Sequence, residues 1–215
     1  MRPLGARSVP VVVKQRLKSP RARLFVALDL PQPVLRAIVA WQAEALDDPP
    51  LRAVASDALH VTLCFLGYRR ELEIERIGEL VTAAGARPVS IGLDAAPVPL
   101  PPRRPRLFAL GARSEAAVQL QSEISRALEG ERLYHPERRP FWPHVTVARV
   151  RPERGSRSPA GGRRGRPRRV ERPPRPLPEG LLEPFGAVRA TLYRSTLRPS
   201  GAEYAPLASM DLPPG

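Results

Sequence analysis

Cysteine is almost missing from this chain: Cys64 stands alone in 215 residues, which excludes an internal disulfide and any cluster of thiolates able to hold a metal. Long apolar runs are missing too. No stretch approaches the roughly 18 uninterrupted apolar residues that suggest a membrane span, and the first residues lack the apolar core and cleavage site of a secretory signal. A soluble protein of the cytoplasm, with no membrane partner, is the expectation. Lysine is scarce, with Lys14 and Lys18 the two among 35 basic side chains. Acidic residues are short in two places. Residues 1–23 hold seven basic side chains and no acid, and residues 151–180 hold ten arginines against Glu153, Glu171 and Glu179, whereas the remainder balances 18 basic with 18 acidic side chains. The net charge of +14 therefore belongs to two segments. Runs of this kind are more often solvated tails than sites; the alternative is non-specific, salt-dependent attraction of RNA phosphates.

The body between those segments has enough apolar content to bury a core. Arg23-Leu24-Phe25-Val26-Ala27-Leu28-Asp29-Leu30 reads as a buried strand. Pro31 and Pro33 suit a helix entrance, and Val34, Ile38, Trp41 and Ala45 form its apolar stripe until Asp48-Pro49-Pro50 stops it. A strand follows over 59–67, then a helix over about 71–84 with Leu72, Ile74, Ile77, Leu80 and Val81 on one face. Two strands over 88–93 and 106–111 are joined by a proline-rich link, 97–105. Ser114 caps a helix to about Leu128, and a strand spans 144–150. Residues 151–180, rich in Pro, Gly and Arg, have too little apolar material to offset their ordering entropy and are expected to be a disordered insertion. Strands over 187–197 and 203–209 make a final hairpin. One α+β domain over 23–210, preceded by a disordered basic tail over 1–22, is the resulting expectation.

Two of the three histidines, His60 and His144, begin the pattern His-Val-Thr-aliphatic inside apolar strands. Residues two apart in a strand project from one face, so each strand presents an imidazole beside a hydroxyl, while Val61, Leu63, Val145 and Val147 face the other way. Two such strands brought together enclose a concavity of phosphate size. That suits in-line displacement at phosphorus, with one histidine taking a proton from the attacking water and the other protonating the departing oxygen. Histidine's unperturbed pKa of about 6.5 keeps both states accessible near neutrality. Thr62 and Thr146 are placed to donate hydrogen bonds to the non-bridging oxygens. No metal is implied: near the two motifs only Asp57 is available as a further ligand, which does not complete a coordination sphere. One such histidine alone is more often a satisfied core residue than a catalyst; the repeated motif shifts the balance.

With those residues in view, the chain resembles the 2H phosphoesterases, and within them the bacterial RNA 2',3'-cyclic phosphodiesterases, also described as 2'-5' RNA ligases. The likeness runs from about Arg23 to Met210. It includes Arg23 to Leu28, Leu59-His60-Val61-Thr62-Leu63-Cys64-Phe65-Leu66-Gly67, Phe141-Trp142-Pro143-His144-Val145-Thr146-Val147-Ala148-Arg149, Leu192-Tyr193-Arg194-Ser195, and Gly201-Ala202-Glu203-Tyr204. The resemblance implies a bilobal fold, two pseudo-symmetric lobes whose antiparallel sheets line one cleft, with helices outside. It also implies hydrolysis of an RNA 2',3'-cyclic phosphate end to a 2'-phosphate, with His60 as proton donor, His144 as proton acceptor and no cofactor. Arg149 matches a phosphate-contacting position. Phe25 and Phe108 are candidate stacking faces for a base, and Tyr193 and Ser195, on one face of a strand, are candidates for positioning the substrate. A monomer is the expected state. Rival readings are 2'-5' ligation, another small cyclic phosphate as substrate, and a non-catalytic RNA- or nucleotide-binding module that uses the basic segments. Trp41, Trp142 and His135 carry no functional expectation beyond packing, or gating by Trp142.

Overall fold

Leu24, Val26 and Leu28 are completely buried in β1 (Arg21–Asp29), the strand that opens the fold and lies between two others. The computed structural model describes residues 20–153, 165–198 and 201–214. After β1, α1 (Gln32–Ala45) starts at Pro31 with Pro33 in its first turn, where a missing N–H costs little, and buries Leu35, Ile38, Trp41, Gln42 and Ala45. Then come β2 (Leu51–Ala53), β3 (His60–Arg70) and α2 (Ile74–Thr82). The central part continues with β4 (Ser90–Leu93), β5 (Val98–Leu100), β6 (Leu107–Arg113), α3 (Glu115–Gly130) and β7 (His144–Val150). Ser114 does cap α3, its hydroxyl accepting from the Ala117 N–H at 3.1 Å. The chain ends with β8 (Phe185–Gly186), β9 (Arg189–Leu197) and β10 (Ala202–Asp211).

The strands form one antiparallel sheet in the order β10-β9-β1-β3-β7-β6-β4-β8, with β2 paired to β7 and β5 to β6. Its middle is narrow. The two lobes meet where β3 pairs with β7, and that pairing is confined to Val61 and Val145. On one side lie β1, β3, β9 and β10; on the other lie β2 and β4 to β8. The α+β, bilobal expectation agrees with this arrangement, but the lobes are not the two halves of the sequence, because the C-terminal hairpin returns to pair with β1. Helix α2 packs on β9 and β10, and α3 packs on β3 and β4. A single apolar cluster, including Leu24, Ile38, Ile77, Leu110, Leu120, Val145 and Leu192, underlies both lobes.

Three short strands add to those expected from the sequence: β2, β5 within the proline-rich link, and β8. Each has two or three residues, too few for an apolar alternation to register. At the N-terminus, β1 begins at Arg21, so two residues assigned to the basic tail are strand, while 1–19 lie outside the described residues. Of the expected insertion, 154–164 likewise lie outside them. Residues 165–180 are nearly all without helix or strand, yet they are held against α1. The buried Asp48 carboxylate accepts from the N–H groups of Glu171 (2.7 Å) and Arg172 (3.1 Å), Trp41 Nε1 donates to the Pro176 carbonyl at 3.2 Å, and Leu177 is buried. Composition undervalued this stretch because much of its ordering rests on polar contacts with a distant helix end, to which Leu177 adds an apolar anchor.

Candidate active site

The strand pairing at the narrow middle decides what the two motifs become. Because β3 and β7 are antiparallel and Val61 faces Val145, the register continued by one residue sets His60 across from Thr146 and Thr62 across from His144. Val61, Val145 and Val147 are completely buried beneath, and Leu63 nearly so. All four polar side chains line one open cleft of about 1120 Å³, whose walls also include Arg23, Arg52, Phe65, Arg149, Ser195 and Tyr204.

The histidines share a local design. His144 Nδ1 lies 2.8 Å from the Trp142 carbonyl, two residues earlier. A carbonyl only accepts, so Nδ1 carries the hydrogen and, in the neutral ring, Nε2 holds the lone pair. His60 makes the corresponding backbone hydrogen bond with Ala58, also two residues earlier, and its Nε2 sits 3.0 Å from Thr62 Oγ1. Their surroundings differ. His60 stacks on Phe25 (centroids 5.0 Å apart) and meets Tyr204 edge-on at 5.5 Å. Burial there, opposed by the Ala58 bond and reinforced by the positive charge of Arg149 and by His144, pushes His60 down to about 4. His144 instead stacks face to face on Trp142, at 4.7 Å and 17°, and Trp142 is 39% exposed.

The other expected residues divide. Arg149, at the exposed end of β7, lines the cleft with the motifs. Ser195 lines it too, its hydroxyl accepting from Arg23 Nη1 at 2.9 Å. Phe25 reaches the cleft wall, but it is only 3% exposed: His60 and Tyr193 stack on it and Tyr204 meets it edge-on, so it supports the imidazole and does not offer a face to a base. Phe108 is 2% exposed and belongs to the apolar core, because β6 is buried on both faces through most of its length. The stacking role expected for it has no surface to act through. Tyr193 stands behind Phe25 and donates to Asp29 Oδ1 at 2.7 Å, and burial pushes its phenol up to about 12. It braces the wall from behind and is not itself part of it. Cys64 is buried, which pushes its thiol up to about 12 and leaves it inert.

Several contributors escaped sequence reasoning. Arg23 lies over the Phe65 ring at 4.6 Å, and Phe65 and Tyr68 are 43% and 61% exposed along the cleft. These exposed rings are better placed for a base than the buried Phe25 and Phe108. Alternation in the sequence puts Phe65 on the buried face with Val61 and Leu63; its exposure follows a shift of phase at the consecutive buried residues Leu63 and Cys64, beside the irregular pairing with β1. Gln42, buried in α1, donates through Nε2 to the Val54 carbonyl (3.1 Å) and the Val147 carbonyl (2.7 Å), fixing β7 one residue beyond Thr146. A helix glutamine carries no signal of this in sequence. Among the described residues, no three of His, Cys, Asp and Glu gather as a metal-binding group.

Comparison with known proteins bears on the same strands. Residues 30–158, which contain both His-x-Thr motifs, match the family model of the 2'-5' RNA ligase superfamily. Over 143 residues the chain is 34% identical to the RNA 2',3'-cyclic phosphodiesterase of Escherichia coli K12, covering 65% of this chain and 78% of that one. A solved structure from Thermus thermophilus is 27% identical with a TM-score of 0.70, covering 88% of this chain and 97% of the other. E. coli LigT complexed with 3'-AMP is 25% identical with a TM-score of 0.68, covering 90% and 99%. The match spans both motifs and most of the fold, and the chain belongs to the 2'-5' RNA ligase superfamily.

Proposed function

We propose that this protein hydrolyses 2',3'-cyclic phosphate ends of RNA to 2'-phosphomonoesters, with His60 and His144 as an acid/base pair and no metal in the reaction. The observation that carries the reading is the seating of two imidazole and hydroxyl pairs, related by the antiparallel register, in one cleft. The names of the relatives support the activity at the level of the family.

In the proposed reaction a water oxygen attacks phosphorus in line with the bond to the 3' oxygen. His144 Nε2 takes the water proton, which the Nδ1 bond to the Trp142 carbonyl leaves it free to do. His60, protonated in the complex, gives its proton to the 3' oxygen as that bond breaks. The product is a 2'-phosphate and a 3'-hydroxyl, and the two histidines have exchanged protonation states. Thr62, Thr146 and Arg149 stabilise the equatorial oxygens as charge builds there.

The low value of His60 gives this scheme a measurable consequence. Near neutrality the free protein holds His60 unprotonated. In the proposed scheme the anionic phosphate, set beside the imidazole, favours its charged form against the burial and the Arg149 charge that lower it, so binding takes up a proton from solution. The decisive experiment assays a cyclic-phosphate oligonucleotide in EDTA with His60→Ala and His144→Ala. Loss of hydrolysis in each supports the reading, and full activity in both sinks it. Retention of RNA binding without turnover in the unaltered protein would favour the binding-module reading instead.

A further inference from the structure

Beyond Arg149 the cleft continues into a second cavity of about 350 Å³, whose charged side chains are all of one sign and are set among Val150, Pro152 and Pro167. Arg52, Arg106, Arg149 and Arg151 line it, together with the backbone of the chain crossing above, and no acidic side chain does so among the described residues. Arg52 and Arg149 belong to both cavities. The clustering is built into the sheet. Arg52 on β2 is directly paired with Arg149 on β7, and Arg149 is paired on its other side with Leu107, the residue after Arg106.

The outer wall is ordered by contacts that hold the arginines in position. Arg106 Nη1 donates to the Gly165 carbonyl at 3.2 Å, which fixes one edge of the guanidinium and leaves its remaining N–H groups to aim elsewhere. The Arg151 N–H donates to the Pro50 carbonyl, and the Arg151 carbonyl accepts from the Arg168 N–H. The Glu153 N–H donates to the Arg166 carbonyl, and Pro152 and Pro167 form a bridge.

We propose that this cavity is a second phosphate subsite, which takes the internal phosphodiester next to the terminal cyclic phosphate of an RNA strand. It rests on the reading that the main cleft receives such an end, and it adds a preference for a polynucleotide over a cyclic mononucleotide. Arg149 and Arg52 sit between the two phosphates, while Arg106 and Arg151 contact the internal one alone.

The test compares the unaltered protein with an Arg106→Ala, Arg151→Ala double variant on two substrates, a nucleoside 2',3'-cyclic phosphate and a short RNA ending in the same group. The expected result is a fall of about 10- to 100-fold in kcat/KM for the RNA, no change for the mononucleotide, and a salt dependence for RNA shallower by about 0.7 in log-log slope per lost phosphate contact. An unchanged RNA kcat/KM and slope, or an equal loss on both substrates, overturns the subsite. Failure of the unaltered protein to turn over either substrate would instead refute the proposed function. In that event anisotropy of a labelled RNA bearing a terminal 2'-phosphate decides the subsite separately: tighter binding by the unaltered protein than by the double variant upholds it, and equal binding rejects it.

Discussion

The two wings of the cleft carry the same four-residue motif and the same hydrogen bond from histidine to a carbonyl two residues back, yet they surround it with opposite materials. His60 lies under aromatic rings, against Phe25 and Tyr204. His144 lies on a partly exposed indole, on the strand that ends in Arg149 beside Arg52. A repeated motif thus supplies identical groups, and the neighbours differentiate them.

The comparison breaks first at the histidines. His60→Ala and His144→Ala should each lower hydrolysis by about 10² to 10⁴, measured as turnover of a cyclic-phosphate substrate in EDTA; a large loss in one variant alone would mean that the wings do not share the proton transfers. Thr62→Val and Thr146→Val should follow, with kcat losses up to about 10² to 10³. Thr62 should show the larger pH effect, because its hydroxyl also meets His60 Nε2.

A smaller effect is expected behind the arginine wing. Gln42→Leu strips the Val54 and Val147 carbonyls of their side-chain donor, which should lower unfolding stability by about 1 to 3 kcal/mol, read from the denaturant midpoint. Activity should fall with it where β7 loosens. A midpoint equal to that of the unaltered protein would show that β2 holds β7 without help from α1.

The smallest effect, and the most specific to the aromatic wing, is on titration. A histidine whose folded value lies near 4 is kept neutral by the fold while the unfolded chain protonates it at about 6.5. Its contribution to stability is therefore complete above about pH 6.5, is lost as the pH falls towards 4, and changes no further below that. His60→Ala should remove this part of the acid slope. Tyr204→Ala, which opens one side of the pocket, should move the His60 value upward from about 4, followed by NMR of the imidazole protons; a value that stays at 4 would place the cause elsewhere.

Much of this was legible in the residue order. The large elements β1, α1, β3, α3, β7 and the terminal hairpin all appear where apolar periodicity and proline or serine boundaries put them. The two motifs were legible as chemistry because strand alternation alone sends His and Thr to the same face. Phe108 shows where that reasoning stops: β6 is buried on both faces, so alternation could not tell whether its ring met the cleft or the core. Residues 165–180 show another limit, since Asp48 gathers their backbone N–H groups from more than a hundred positions away.

By itself the sequence determined the inventory proposed for catalysis, two imidazoles and two hydroxyls on apolar strands, because a period of two is a local property of the chain. The tertiary structure alone decided that these strands meet at one valine pair, that His60 packs against aromatic rings while arginines on or beside β2, β6 and β7 converge beyond His144, and that Phe108 lies in the core. Those outcomes depend on which strands become neighbours and on what packs over them, and long-range pairing leaves no mark in local periodicity.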